Sequence, residues 1–182
     1  MASQDDIPSD EELMTRAAGG DVDAFEQLVQ RHQRSALSTA RRFLGRSALA
    51  EDVVQEAFLK IFVRASDYRP TARFRTYLYN VIWHLCVDSF RRKRPLALDT
   101  LPQSEGAEES PDEALLRNER GEMVRRAVDE LPPRQRMALV LKHFEDMSYD
   151  DIAEVMECSA GAVDSLLSRA RNSLRESLQD LL

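Results

Sequence analysis

Apolar residues return every three or four positions along most of this 182-residue chain, and no stretch alternates polar and apolar as a strand would. Six Gly and seven Pro are too sparse for a turn-rich β fold. The periodicity therefore predicts an all-α fold. Ser9 ahead of Asp10, Glu11 and Glu12 reads as an N-cap with acids in the first turn, and its helix should stop at Gly19-Gly20. A second helix starts at Asp21 or Asp23, carries Phe25, Leu28, Val29 and His32 on one face, and ends near Leu44 before Gly45. Residues 48–64 hold a wide apolar stripe of Val53, Val54, Ala57, Phe58, Ile61 and Phe62, with Asp52, Gln55, Glu56 and Leu59 on another side. Pro70 disfavours helix at Arg69, so residues 66–72 form a break before a long helix over 73–93.

Residues 96–111 lose the period and collect Pro, Gly, Ser and Glu, the composition of a linker. The chain thus divides into a disordered start (1–9), a helical domain (10–95), an acidic linker (96–111) and a second helical domain (112–182). Ser110-Pro111-Asp112-Glu113 opens a helix that Pro132-Pro133 closes, and another covers residues 134–143. Ser148, with Asp151 three residues on, resembles a capping box for a short helix. Glu157-Cys158-Ser159 is then a turn into a last helix reaching about Leu178.

The net charge of −7 hides an uneven distribution. Residues 31–95 carry fourteen Lys/Arg against five acids, while residues 1–30 carry eight acids and one Arg. A basic block inside an acidic protein is a local footprint for nucleic acid, whatever the total charge. Cys86 and Cys158 are far apart and His32, His84 and His143 are scattered, so no disulfide, metal site or cofactor is expected. No signal segment or run of 18 apolar residues stands out, which predicts a soluble, cytoplasmic chain without membrane partners. No phosphate-binding loop or catalytic triad is present, so neither enzyme activity nor a small-molecule substrate is expected.

The most specific local pattern lies in residues 148–172. Ile152, Val155 and Met156 give a short helix an inward face, and Val163, Leu167, Ala170 and Leu174 do so for the longer one. The opposite face of the longer helix presents Gly161, Asp164, Ser165, Ser168, Arg171 and Asn172, with Arg169 at its flank. A small polar face suits a helix entering a DNA major groove, so this reads as a helix-turn-helix. Ser159 and nearby N–H groups suit a phosphate.

Two long stretches resemble known sequences. LPPRQRMALVLKHFEDMSYDDIAEVMECSAGAVDSLLSRARNSLRESL is similar to the promoter-reading domain of extracytoplasmic-function (ECF) sigma factors, and AEDVVQEAFLKIFVRASDYRPTARFRTYLYNVIWHLCVDSFRRKRP to their other domain. They occur in the family's order, and the absence of the large additional regions of primary sigma factors also fits the ECF group. The resemblance implies core RNA polymerase (clamp helices and flap tip), promoter DNA in duplex and melted form, and an anti-sigma protein as partners. It implies that Asp52, Gln55, Glu56 and Leu59 dock on the clamp helices, a role their exposed acid–amide–acid pattern suits. It assigns Tyr68, Arg69, Thr71, Arg73 and Phe74 to capture of an extruded minus-ten base, which needs aromatic, hydroxyl and Arg groups. Tyr68 and Tyr77 fit either stacking on DNA or inward packing. Asn80, Trp83, His84 and Asp88 share the face expected to be exposed, beside the cluster Arg91, Arg92, Lys93 and Arg94, whose four consecutive charges exceed what a helix C-terminus needs.

In the second domain the resemblance implies that residues 131–144 and the preceding helix seat on the flap tip. Asp164, Ser165, Ser168 and Arg169 then read the minus-thirty-five element, with Ser159, Gly161 and Arg171 beside them. Asp164 and Leu166 depart from the basic residues many members carry, which implies either a changed promoter preference or weaker phosphate attraction. The rival readings are a stand-alone helix-turn-helix regulator, which binds duplex DNA without polymerase, and an adaptor that binds proteins only.

Overall fold

The computed structural model describes residues 7–45, 47–69, 73–93 and 111–179, with Ser47, residues 91–93 and residues 111–120 described for the backbone alone. Every regular element among them is helical. The first unit comprises α1 (Asp10–Ala18), α2 (Val22–Leu44), α3 (Ser47–Val63) and α4 (Phe74–Lys93), with a 3-10 turn at Ala65–Asp67 ahead of α4. The second comprises α5 (Pro111–Glu130), α6 (Pro133–His143), α7 (Tyr149–Val155) and α8 (Ala160–Ser177).

The ends follow local chemistry. Ser9 Oγ accepts from the Glu12 N–H at 3.2 Å while the Glu12 carboxylate accepts from the Ser9 N–H at 2.7 Å, a complete capping box. Ser148 and Asp151 build the same box at α7, and Ser159 Oγ accepts from the Ala162 N–H at α8. Gly45 ends α2 in the left-handed region (φ 65°), which a residue without Cβ adopts at little cost. Pro132 precedes α6, and Pro133 is its first residue, where a missing N–H costs no helical bond.

The apolar faces meet in a core that continues from the first unit into the second. Phe43, Phe74, Leu78, Tyr79 and Ile82 are buried in α2 and α4, and Met137, Leu141, Ile152 and Val155 join the same cluster. Phe43 lies edge-on to Trp83 (5.7 Å) and Phe90 (5.3 Å). The units touch where α4 meets α7 and α2 meets α6. Phe62, expected in the apolar stripe of α3, is 41% exposed, although one side of its ring rests on Phe25 at 5.0 Å.

The cysteines are free. Cys86 is buried, and burial pushes its thiol up to about 12, whereas Cys158 is half-buried. At neutral pH a thiol reagent should therefore modify Cys158 in the native protein. Cys86 should react only as fast as the chain unfolds, which mass spectrometry of a labelling time course would show. Fast labelling of Cys86 would contradict the packing around α4.

Candidate functional site

On α3, Asp52, Gln55, Glu56 and Leu59 are all exposed, and Leu59 is 61% accessible despite being apolar. The Glu56 carboxylate lies 2.9 Å from Lys60 Nζ one turn on, a surface pair that leaves Asp52 and Gln55 facing outward beside it. The four residues make one short polar strip with an apolar edge.

Tyr68, Arg69, Tyr77 and Asn80 line one cavity of about 630 Å³, together with Arg64, Asp67, Thr76, Glu154 and Glu157. The rings of Tyr68 and Tyr77 are 5.8 Å apart and tilted, and both residues are half-buried. The buried Tyr68 hydroxyl has no hydrogen-bond partner among the described residues. Burial first, and the negative charge of Glu11 second, raise its pKa, so the phenol is a neutral donor at pH 7. Arg73 stands at the head of α4, its carbonyl accepting from the Tyr77 N–H at 3.1 Å. Thr71 and Arg94 lie outside the described residues, as do the side chains of Arg91, Arg92 and Lys93 in the last turn of α4.

Two expectations for α4 need correction. Phe74 is fully buried, its ring 5.3 Å from that of His32, and Trp83 is 7% exposed against Phe43. Neither is a surface residue. Because α4 is packed by α2 and α3 on one side and by α7 on another, an apparently outward helical spacing leads partly into core. Of the same series, His84 and Asp88 are exposed and Asn80 is half-buried.

Two of these residues are engaged by the second unit. Asn80 Nδ2 donates to the Val155 carbonyl at 3.0 Å, and His84 Nε2 lies 3.0 Å from Glu157 Oε1. The contact with His84 holds the Glu157 carboxyl below the usual carboxylate range. Glu157 itself has φ 51°, a left-handed conformation uncommon outside glycine, at the turn between α7 and α8. The cavity thus has cationic and aromatic groups from the first unit on one wall and two carboxylates, Glu154 and Glu157, on the other.

On α8 the inward side holds Val163, Leu167 and Ala170, all buried, with Leu174 beside them. Gly161, Asp164, Ser165, Arg169 and Arg171 are exposed and Ser168 is half-buried, so the polar face expected from the sequence forms and is accessible. A Cβ at Gly161 would meet nothing within 4 Å, leaving room for another molecule's backbone. Arg171 is steadied by its own helix, Nε donating to the Leu167 carbonyl at 3.3 Å. Ser159 is committed to capping α8.

Sequence reasoning missed several residues that organise these surfaces. Arg136 is buried, and its guanidinium donates to the carbonyls of Phe43 (2.8 Å), Asp129 and Leu131. Glu145 is also buried, accepting from Thr39 Oγ1 at 2.6 Å and from Arg75 at 3.0 Å. Glu11 of α1 accepts from the Phe74 N–H at 3.0 Å. Apart from Asp129 and Leu131, which lie seven and five residues from Arg136, these partners are far away in sequence, so no local signal marks them. Among the described residues no group of three or more His, Cys, Asp or Glu is placed to hold a metal ion, and no helix is long and apolar enough to cross a membrane.

Comparison with known proteins agrees with this layout. Residues 28–95 match the family model described as Sigma-70 region 2, and residues 121–174 that described as Sigma-70, region 4. The chain is 36% identical over 184 residues to the RNA polymerase sigma-H factor of Pseudomonas aeruginosa, covering 95% of each. It is 32% identical over 185 residues to the ECF RNA polymerase sigma-E factor of Escherichia coli, covering 96% of each. Among solved structures, that of CnrH in complex with the cytosolic domain of CnrY superposes with a TM-score of 0.73 at 28% identity, covering 95% of this chain and 99% of that one. With an all-helical fold, a region 2 unit and a region 4 unit in order, and full-length relatives of this kind, the chain belongs to the extracytoplasmic-function group of RNA polymerase sigma factors.

Proposed function

We propose that the two units divide promoter recognition between them. The first, residues 10–95, seats on core RNA polymerase through Asp52, Gln55, Glu56 and Leu59 and traps an unpaired minus-ten base among Tyr68, Arg69 and Arg73. Asn80, His84, Asp88 and the Arg91–Arg94 cluster contact the strand alongside. The second, residues 112–182, seats on the flap tip and reads the minus-thirty-five element with Asp164, Ser165, Ser168 and Arg169, Arg171 meeting phosphate. Residues 96–111 tether the two, so binding by one unit raises the effective concentration of the other.

The observation that supports this most is the separation of two differently built surfaces. The first unit's wall of Tyr68, Arg69 and Tyr77 suits a single extruded base, while a small polar helix face suits duplex DNA. Trapping the open strand makes melting a consequence of binding. Phosphodiester chemistry belongs to the polymerase, so this chain contributes no catalytic group and works in the cytoplasm, where the polymerase is. Val155 and Glu157 occupy Asn80 and His84 in the packed arrangement, so the units separate when the minus-ten strand is bound. CnrH is solved in complex with the cytosolic domain of CnrY, which supports a further protein partner, in keeping with an anti-sigma protein.

The deciding experiment is transcription in vitro with purified core polymerase on a genomic library. Discrete start points sharing two upstream elements are expected, and none would remove the reading. A stand-alone regulator would instead shift duplex promoter DNA tightly without polymerase. For the docking strip, the double variant Asp52→Ala/Glu56→Ala is expected to bind core polymerase about 100-fold more weakly, the loss of two charge-assisted hydrogen bonds. Fluorescence anisotropy measures this, and unfolding should change by less than about 0.5 kcal/mol, since both side chains are on the surface.

A further inference from the structure

The head of α4 carries unsatisfied N–H groups, as any helix start does, and here a different helix serves them. Glu11 Oε1 lies 3.0 Å from the Phe74 N–H, the amide that joins Arg73 to Phe74. Glu11 is thus bonded to the peptide that carries Arg73 into α4, sixty-three residues away along the chain. Its own helix is held firmly. Asp10 pairs with Arg31 at 3.0 Å and lies 2.6 Å from His32 Nε2, and the His32 ring rests against Phe74. Helix α1 also packs on the 3-10 turn at Ala65–Asp67, immediately before Tyr68. Tyr68 and Arg73, the first and last residues of the proposed capture set, are therefore both referred to α1. That helix precedes the stretch matched as region 2, which begins at residue 28.

We infer that Glu11 is a positioning residue for promoter melting, capping α4 from α1 so that Arg73 and Tyr68 stand where an extruded base can be gripped. The inference rests on the reading of Tyr68, Arg69 and Arg73 as the minus-ten capture set. A carboxylate is the fitting cap. It accepts the N–H, and its charge complements the positive end of the α4 dipole.

The test uses holoenzyme assembled from core polymerase and the full chain, with a promoter recovered from the genomic-library transcription. Three affinities are compared for wild type, Glu11→Ala and Glu11→Gln: for core polymerase, for a duplex ending upstream of the minus-ten element, and for the single-stranded non-template minus-ten oligonucleotide. Glu11→Ala is expected to weaken only the single-strand affinity, by about 3- to 30-fold, the range that loss of a helix cap implies. It should slow promoter melting, read with a fluorescent base analogue, in proportion. Glu11→Gln keeps an oxygen at the same place and should recover most of both losses.

Unchanged single-strand affinity in Glu11→Ala overturns the inference. So does an equal drop in core, duplex and single-strand affinity, the pattern of a damaged fold, and so does a Glu11→Gln variant that folds and binds core normally yet behaves like the alanine. Tyr68→Ala with Arg73→Ala separates the two levels. If that double variant loses single-strand affinity and Glu11→Ala does not, the capture reading stands and Glu11 has no part in it. If the double variant binds like wild type, the capture reading falls and takes the inference with it.

Discussion

Replacing Arg136 by Leu is expected to destabilise the protein by about 3–5 kcal/mol, the cost of leaving three carbonyls without their donor. Arg136 is 7% exposed, and its guanidinium donates to three carbonyls, those of Phe43, Asp129 and Leu131. Phe43 lies in the last turn of α2 and Asp129 in the last turn of α5, so both carbonyls belong to helix ends without intrahelical partners. One planar fork answers these ends in both units at once, a task that leucine leaves undone at every point. Each orphaned buried carbonyl costs roughly 1–3 kcal/mol, so partial relaxation by water still leaves a large deficit. Calorimetry should show the transition falling by roughly 10 °C for a chain of this size. Arg136→Lys should recover only part of the loss, because a single ammonium cannot span the same three oxygens. A leucine variant as stable as wild type would mean that water or another side chain replaces the guanidinium.

Glu145→Ala is expected to act differently, by loosening the two units from one another while leaving each folded. The Glu145 carboxylate accepts from Thr39 of α2 and from Arg75 of α4, and Arg75 also donates to the Glu145 carbonyl. Those partners belong to the first unit and Glu145 to the second, on the turn between α6 and α7. Its side chain is 7% exposed while that of Arg75 is 39% exposed, so the pair is only partly shielded from solvent. A loss of about 2–3 kcal/mol follows for a half-buried charge network, which shifts the packed arrangement by roughly 30- to 150-fold. Small-angle scattering should report a larger radius of gyration, and helix content by circular dichroism should stay unchanged. Because Asn80 and His84 are released at the same time, promoter-directed transcription with core polymerase should hold or rise. Thr39→Val removes one hydrogen bond and should give a smaller shift of the same sign. Transcription falling tenfold in Glu145→Ala, with folding intact, would contradict this account.

What could be read from the chain alone follows from the range of the interactions involved. Helix ends at Ser9, Gly45, Ser148 and Ser159 depend on hydrogen bonds spanning three or four residues, and the sequence contains every participant. The inward series Val163, Leu167 and Ala170 follows from helical geometry, and its polar complement on α8 was therefore legible as well. The exposure of Asp52, Gln55, Glu56 and Leu59 was likewise readable, since α3 has one clear apolar stripe opposite them. Periodicity failed on α4, where apolar residues occur on more than one side, so it could not tell that Phe74 and Trp83 were core while His84 remained exposed.

By itself, then, the sequence determined the helices, their caps, the turn between α7 and α8, and the family. Tertiary structure alone decided that Glu11 caps α4, that Arg136 answers helix ends in two units, and that Val155 and Glu157 take up Asn80 and His84. The physical reason is distance along the chain. A helix is closed by neighbours within one turn, whereas the bonds of Glu11 to Phe74, Arg136 to Phe43, Asn80 to Val155 and His84 to Glu157 join residues between 63 and 93 positions apart, and no local pattern encodes which partner the packing will bring.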